Sequence, residues 1–232
     1  MIGRHEAVVA CRFDELRWRF KGEVAPDDPR LRAIVESLSP LGGRRVLDLG
    51  CGKGRYCSAL SDLGARVVGV DLCAGMLAEA TGLDRVRATA RRLPFGPASF
   101  DRVMAVEIFE HLAPQSLDVV CGEVRRVLRP GGTFVIVDKN VCSWNARRPW
   151  LPSALVKWID ERRGLWMYPH RGPVRERWFR PSELKKRLGR WFSEVRVVHL
   201  LSRSEEGRFP FKQVPYARLF VLWSARVPGG SA

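Results

Sequence analysis

The segment Val46-Leu47-Asp48-Leu49-Gly50-Cys51-Gly52-Lys53-Gly54-Arg55-Tyr56 constrains this chain more than any other. An apolar run carrying a single acid reads as a buried strand, three glycines follow at alternate positions, and a helical pattern then begins. Glycine tolerates positive φ and lets backbone approach a ligand closely. The first amides of the helix point into whatever occupies such a loop. A second, Val-rich strand from Ala65 to Val70 ends at Asp71, 21 residues after Gly50. An acid at that place accepts hydrogen bonds from both hydroxyls of a ribose.

This loop differs from the two common phosphate cradles. The dinucleotide fingerprint needs a glycine where Arg55 stands, and no G-K-[ST] follows. Asp48, just before the loop, would repel a pyrophosphate but suits a ligand carrying an ammonium and a sulfonium. The residues therefore favour a cationic adenosyl ligand over an anionic dinucleotide.

Strand and helix patterns alternate along the rest of the first part. Helical spacing covers residues 5–20 and Leu31 to Leu38, with Pro26 and Pro29 between them. After the glycine loop come a helix from Arg55 to Leu63, the Asp71 strand, a helix from Ala74 to Ala80 and a short strand from Val86 to Thr89. Arg102 to Val106 is a strand, Pro114 to Leu128 a helix, Arg129-Pro130-Gly131-Gly132 a turn, and Thr133 to Val137 a strand. Alternation of this kind implies parallel strands joined by crossover helices, in a sheet covered on both faces. The pattern lapses for about forty residues after Asn140, apart from an amphipathic stretch from Pro152 to Ile159. It resumes with a helix from Pro181 to Leu188 and two strands, Glu194 to Leu200 and Arg218 to Val227, expected as an antiparallel pair at one edge. Pro228 to Ala232 reads as a frayed tail. The organisation expected is N-terminal helices over 1–40, a ligand-binding core over 41–139, an insertion over 140–180, and a C-terminal helix with edge strands over 181–227.

Charge is unevenly placed. Residues 1–139 hold 21 Lys and Arg against 18 Asp and Glu, whereas residues 140–232 hold 19 against 7. Seven of the eight tryptophans lie in that basic second part. Such a surface attracts nucleic acid, anionic lipid or a phosphorylated substrate. No apolar run approaches the ~18 residues of a membrane span, and the charged N-terminus is unlike a cleavable signal peptide. A cytoplasmic protein is expected, with peripheral membrane contact open. The six cysteines form no C-x-x-C pair and the four histidines are scattered, so neither a disulfide framework nor a metal site is expected.

Four ordered motifs resemble the class I S-adenosylmethionine-dependent methyltransferases. They are Val46 to Tyr56; Gly69-Val70-Asp71 with Leu72 to Leu77; Leu93-Pro94-Phe95 with Ser99-Phe100-Asp101 and Glu110-His111-Leu112; and Leu128 to Gly132. The resemblance covers about residues 40–140 and is closest to the type 11 subgroup that includes quinone-biosynthesis methyltransferases. It implies a Rossmann-like α/β fold: a doubly wound, mostly parallel seven-stranded sheet with an antiparallel edge strand, helices on both faces and a cap insertion. The implied cofactor is S-adenosyl-L-methionine, leaving as S-adenosyl-L-homocysteine. By the same resemblance Gly50, Cys51, Gly52 and Gly54 lie against its methionine part, Asp48 places its amino group, Asp71 binds the ribose, and Leu72 packs on the adenine. Where the family often has an Asp for the adenine amino group, this chain has Thr89, with the Ala90 backbone beside it. Glu107 falls at the end of the fourth strand, beside the transferred methyl.

Methyl transfer from a sulfonium is an in-line displacement, so the protein chiefly orients the acceptor and excludes water. A base is needed only for an acceptor that still carries its proton. The candidates are His111, Glu107, Tyr168 and His170. Acceptor recognition is expected from the aromatics and arginines of 140–180. The expected substrate is a small or lipid-linked molecule with anionic character. The alternatives are an RNA methyltransferase using the basic second half, and a module that holds the cofactor without transferring anything.

Overall fold

The structure, a computed structural model, describes residues 2–168 and 170–229; the expected frayed end from Gly230 to Ala232 lies outside them. Seven strands form one sheet: β1 (Arg45–Leu49), β2 (Arg66–Asp71), β3 (Asp84–Arg87), β4 (Phe100–Val106), β5 (Leu128–Lys139), β8 (Ser193–Leu200) and β9 (Phe220–Arg226). Their order is β3-β2-β1-β4-β5-β9-β8, parallel throughout except that β9 runs antiparallel between β5 and β8. The central strands bury both faces, as their unbroken apolar runs require. Leu47, Leu49, Val103, Ala105, Phe134 and Ile136 pack on one side, and Val46, Met104, Val106, Val135 and Val137 on the other. Pairing of Leu49 with Val70 and Ala105 aligns the carboxyl ends of β1, β2 and β4, so the loops that follow them open into one crevice.

The helices are α1 (Arg4–Glu15), α2 (Pro29–Leu38), α3 (Arg55–Asp62), α4 (Ala74–Glu79), α5 (Leu117–Val127), α6 (Ser153–Arg162) and α7 (Pro181–Leu188). Local chemistry sets their starts. The Asp28 carboxylate accepts from Arg30 N–H at 2.8 Å with Pro29 in the first turn, and Gly54 enters α3 at φ +78°.

Three boundaries differ from the sequence reading. The third strand ends at Arg87, before Thr89. The expected turn at Pro130-Gly131-Gly132 is a bulge inside β5: Gly131 at φ +73° absorbs the register shift, and its N–H donates to Val227 O at 3.1 Å. The 140–180 segment is partly regular, with a hairpin of β6 (Trp144–Asn145) and β7 (Arg148–Pro152) leading into α6.

Candidate active site

A cavity of about 210 Å³ lies at the carboxyl ends of β1, β2, β4 and β5. Asp48, Gly50, Cys51, Gly52, Asp71, Leu72, Thr89, Ala90, Glu107 and His111 all line it. Gly54 stands behind this wall, where it sets the backbone that begins α3. Gly52 sits at φ +55°, and a Cβ there would come within 3.1 Å of the Met76 side chain.

Asp71 braces the glycine loop. Its Oδ2 accepts from Gly52 N–H and its Oδ1 from Cys73 N–H, each at 2.8 Å. Each oxygen keeps a lone pair for a further donor. Asp71 thus caps the turn into α4 and faces the cavity at once. Asp48 is almost fully buried and, among the described residues, accepts only the Cys57 thiol, at 3.2 Å. Burial pushes its pKa from 3.8 up to about 7. A carboxyl in that state gains from a cation placed beside it.

Glu107 adopts φ +55°, a strained conformation for a residue with a side chain. Its carboxylate accepts from Arg30 at 2.5 Å and Arg55 at 3.4 Å. Burial pushes its pKa up, but Lys139, Arg55 and Arg30 more than offset this and hold it below the usual value. Glu107 is therefore an anchored anion, poorly suited to accept a proton.

Beyond it the wall is a buried network. His111 Nδ1 pairs with the Tyr168 hydroxyl at 3.1 Å, and His111 Nε2 lies 3.5 Å from Glu110 Oε1. Burial lowers the His111 pKa to about 4, so the ring is neutral at physiological pH. Lys139 Nζ donates to Glu110 at 2.5 Å and Glu176 at 2.9 Å. The indoles of Trp166 and Trp178 donate to Glu176 at 2.8 Å and 2.6 Å. Burial works against the Glu176 charge, yet Lys139 prevails and holds its pKa at about 2. Asp138 accepts from Glu110 N–H at 3.0 Å, and burial raises the pKa of both these acids.

Two expectations place differently. His170 stays away from the cavity, its ring edge-on to Trp158 at 6.4 Å, because the N–H groups of Gly164, Leu165 and His170 donate back to the last turn of α6. Among the described residues of 140–180 only Met167 and Glu176 line the cavity, while the arginines and tryptophans lie elsewhere. Tyr168 reaches the site through His111.

The sequence reading missed the roof. Helix α1 lays His5, Glu6, Val9, Ala10 and Phe13 over the cavity. His5 Nε2 pairs with His111 O at 2.9 Å, Arg12 donates to Met167 O at 2.7 Å, and Asp14 accepts from Gly75 N–H at 2.8 Å. The Glu6 carboxylate takes the Thr89 hydroxyl, which places an acid beside Thr89. The amphipathic spacing of 5–20 was the available signal, but nothing local says which surface that stripe covers.

A family model described as methyltransferase domain matches residues 47–136, which carry the glycine loop, Asp71, Glu107 and His111 of this cavity. A ubiquinone biosynthesis O-methyltransferase of Idiomarina loihiensis is 30% identical over 187 residues, covering 72% of this chain and 70% of that protein. The chain belongs to the class I S-adenosylmethionine-dependent methyltransferases. An uncharacterised methyltransferase of Synechocystis sp. is 34% identical over 137 residues, 57% of this chain, and the chain spans 63% of its length. Among solved structures, phosphoethanolamine N-methyltransferase 2 of Haemonchus contortus superposes with a TM-score of 0.66 at 19% identity, over 94% of this chain and 57% of that one. At that identity the likeness speaks for the fold alone. The methyltransferase cofactor is S-adenosylmethionine, and the cavity fits it: the glycine loop leaves room for close approach, Asp48 forms no ion pair among the described residues, and Asp71 keeps free lone pairs.

Proposed function

We propose that the protein transfers a methyl group from S-adenosylmethionine to a hydroxyl on a small, lipid-linked aromatic acceptor of the quinone-precursor type. One observation carries this reading: a single cavity runs from the glycine loop, Asp48 and Asp71 to the buried wall of His111, Glu110, Lys139 and Glu176. The names of several relatives, ubiquinone biosynthesis O-methyltransferases and a demethylmenaquinone methyltransferase, support the acceptor class.

When bound, the cofactor supplies an electrophilic methyl carbon on a sulfonium. Asp48 faces its ammonium, Asp71 its ribose hydroxyls, Leu72 its adenine, and Thr89, Ala90 and Glu6 its adenine amino group. The strained turn at Glu107 brings backbone to the methyl side, with the carboxylate locked by Arg30 and Arg55. Helix α1 excludes water, which strengthens every electrostatic contact inside. Neutral His111, with Nδ1 held by the Tyr168 hydroxyl, would accept the proton of the acceptor hydroxyl on Nε2 as the new O–C bond forms and the S–C bond of the cofactor breaks.

Of the cations that line the cavity, Lys53, Arg55 and Lys139 are each paired with a carboxylate, while Lys21 is exposed and has no carboxylate partner among the described residues. That pairing supports an acceptor that is neutral where it reacts, and moves the anionic partner read from the sequence to the outer surface. The test is incubation of methyl-labelled cofactor with fractionated extract and with a panel of catechols. Label in a methoxy group supports the proposal; no transfer to any hydroxyl by protein that binds S-adenosylhomocysteine refutes it.

A further inference from the structure

Most arginines of 140–180, with Trp144, Trp150 and Trp158, stay out of the cavity and are exposed. Along β7 burial alternates, so Arg148, Trp150 and Pro152 share the open face, and Trp150 is 69% exposed. On α6 the exposed positions are Leu155, Trp158 and Arg162, one stripe at helical spacing, with Leu155 42% and Trp158 43% exposed. The Arg162 guanidinium stacks over the Trp158 ring, 4.4 Å from its centroid. Arg208 donates to Ala146 O at 3.0 Å, which brings the 201–217 loop, with Phe209 75% exposed, against the hairpin.

The exposed charge of 140–180 is mostly positive, and the adjoining 201–217 loop adds one exposed acid, Glu206. Arg147, Arg148, Arg162, Arg163, Arg171 and Arg175 are exposed. Of the three acids in 140–180, Glu161 and Glu176 are buried against Lys157 and Lys139, which leaves only half-buried Asp160 near the surface. Large aromatics left in water beside a basic rim mark a contact surface rather than ordinary solvated polypeptide.

We propose that this face docks on an anionic lipid membrane, its tryptophans entering the headgroup region and its arginines pairing with lipid phosphates. Tryptophan prefers the membrane–water interface, and each arginine near an anionic leaflet adds roughly fivefold in partitioning. Exposed Leu155 in the α6 stripe and Leu165 just beyond it favour acyl chains over nucleic acid, because an aliphatic side chain offers no face for base stacking. Among the described residues no helix is long and apolar enough to cross a membrane, so the contact is peripheral. The same segment supplies Met167 and Glu176 to the cavity wall, which places the membrane face on the segment nearest the acceptor end. The proposal deepens the lipid-linked acceptor reading yet is measured without turnover, so failure of methyl transfer and failure of docking are separate results.

The test is sedimentation with vesicles of phosphatidylglycerol and phosphatidylcholine in equal parts, against phosphatidylcholine alone, with tryptophan emission as a second readout. The expected result is binding to the anionic vesicles only, weakened by salt, with a blue shift in emission. Trp150→Ser with Trp158→Ser should remove the shift, and Arg148→Glu with Arg162→Glu should weaken binding by roughly tenfold to a hundredfold. An unchanged thermal transition shows that these surface variants fold. Equal binding to neutral vesicles, no binding at low salt, or binding unchanged in both variants overturns the proposal. So does a preference for polyuridylate over vesicles that the same substitutions abolish.

Discussion

Asp48→Asn separates what the site needs from what the fold needs. The carboxyl is almost fully buried, accepts one thiol hydrogen bond from Cys57, and moves from 3.8 to about 7 because ionising it there is unfavourable. Native protein therefore holds a proton that the unfolded chain releases, and stability falls as pH rises from 3.8 to about 7, with the whole penalty present above that. Three pH steps at 1.36 kcal/mol make the penalty about 4 kcal/mol. Asparagine has nearly the same shape and no charge. Without ligand, Asp48→Asn should be more stable than the parent by roughly 2–4 kcal/mol near pH 8, and by much less near pH 5. Urea unfolding at both pH values reads the difference from the midpoint and slope. Binding should run the other way: the variant should bind S-adenosylhomocysteine more weakly near pH 8, and the parent's affinity should fall as pH drops below about 7. A stability difference that does not grow with pH would show that the buried charge is not strained. Equal ligand affinity would show that Asp48 does not face the ammonium.

Three further outcomes are expected. Gly52→Val should abolish S-adenosylhomocysteine binding in calorimetry while far-ultraviolet circular dichroism stays native, since φ is +55° and the added side chain meets Met76. Asp71→Asn should weaken the same ligand by about 1–3 kcal/mol, and the loss should shrink for an analogue lacking the ribose 2′-hydroxyl; an equal loss would place the ribose elsewhere. Trp166→Ala removes the 2.8 Å bond to Glu176; it should cost about 2–4 kcal/mol in thermal unfolding and raise the acceptor KM more than it weakens cofactor affinity.

Short-range chemistry made the core legible from the chain alone. The glycines between β1 and α3 are needed for left-handed backbone, Asp71 for the turn it caps, and the unbroken apolar runs of β1, β4 and β5 for burial on both faces. Each of these is a property of a few neighbouring residues, so pattern and spacing suffice to read them.

Contacts between distant segments were decided only in three dimensions. Nothing local pairs Glu6 with Thr89, His5 with the His111 carbonyl, or Lys139 with Glu176. The tryptophans of the second half show the same limit. Trp223 is fully buried and donates to Pro181 O, Trp166 and Trp178 hold Glu176, and Trp150 stands in solvent. An indole is apolar over most of its area and carries one donor, so it serves in a core, on a buried carboxylate or at an interface. Which of these it does depends on the surface the rest of the fold brings to it.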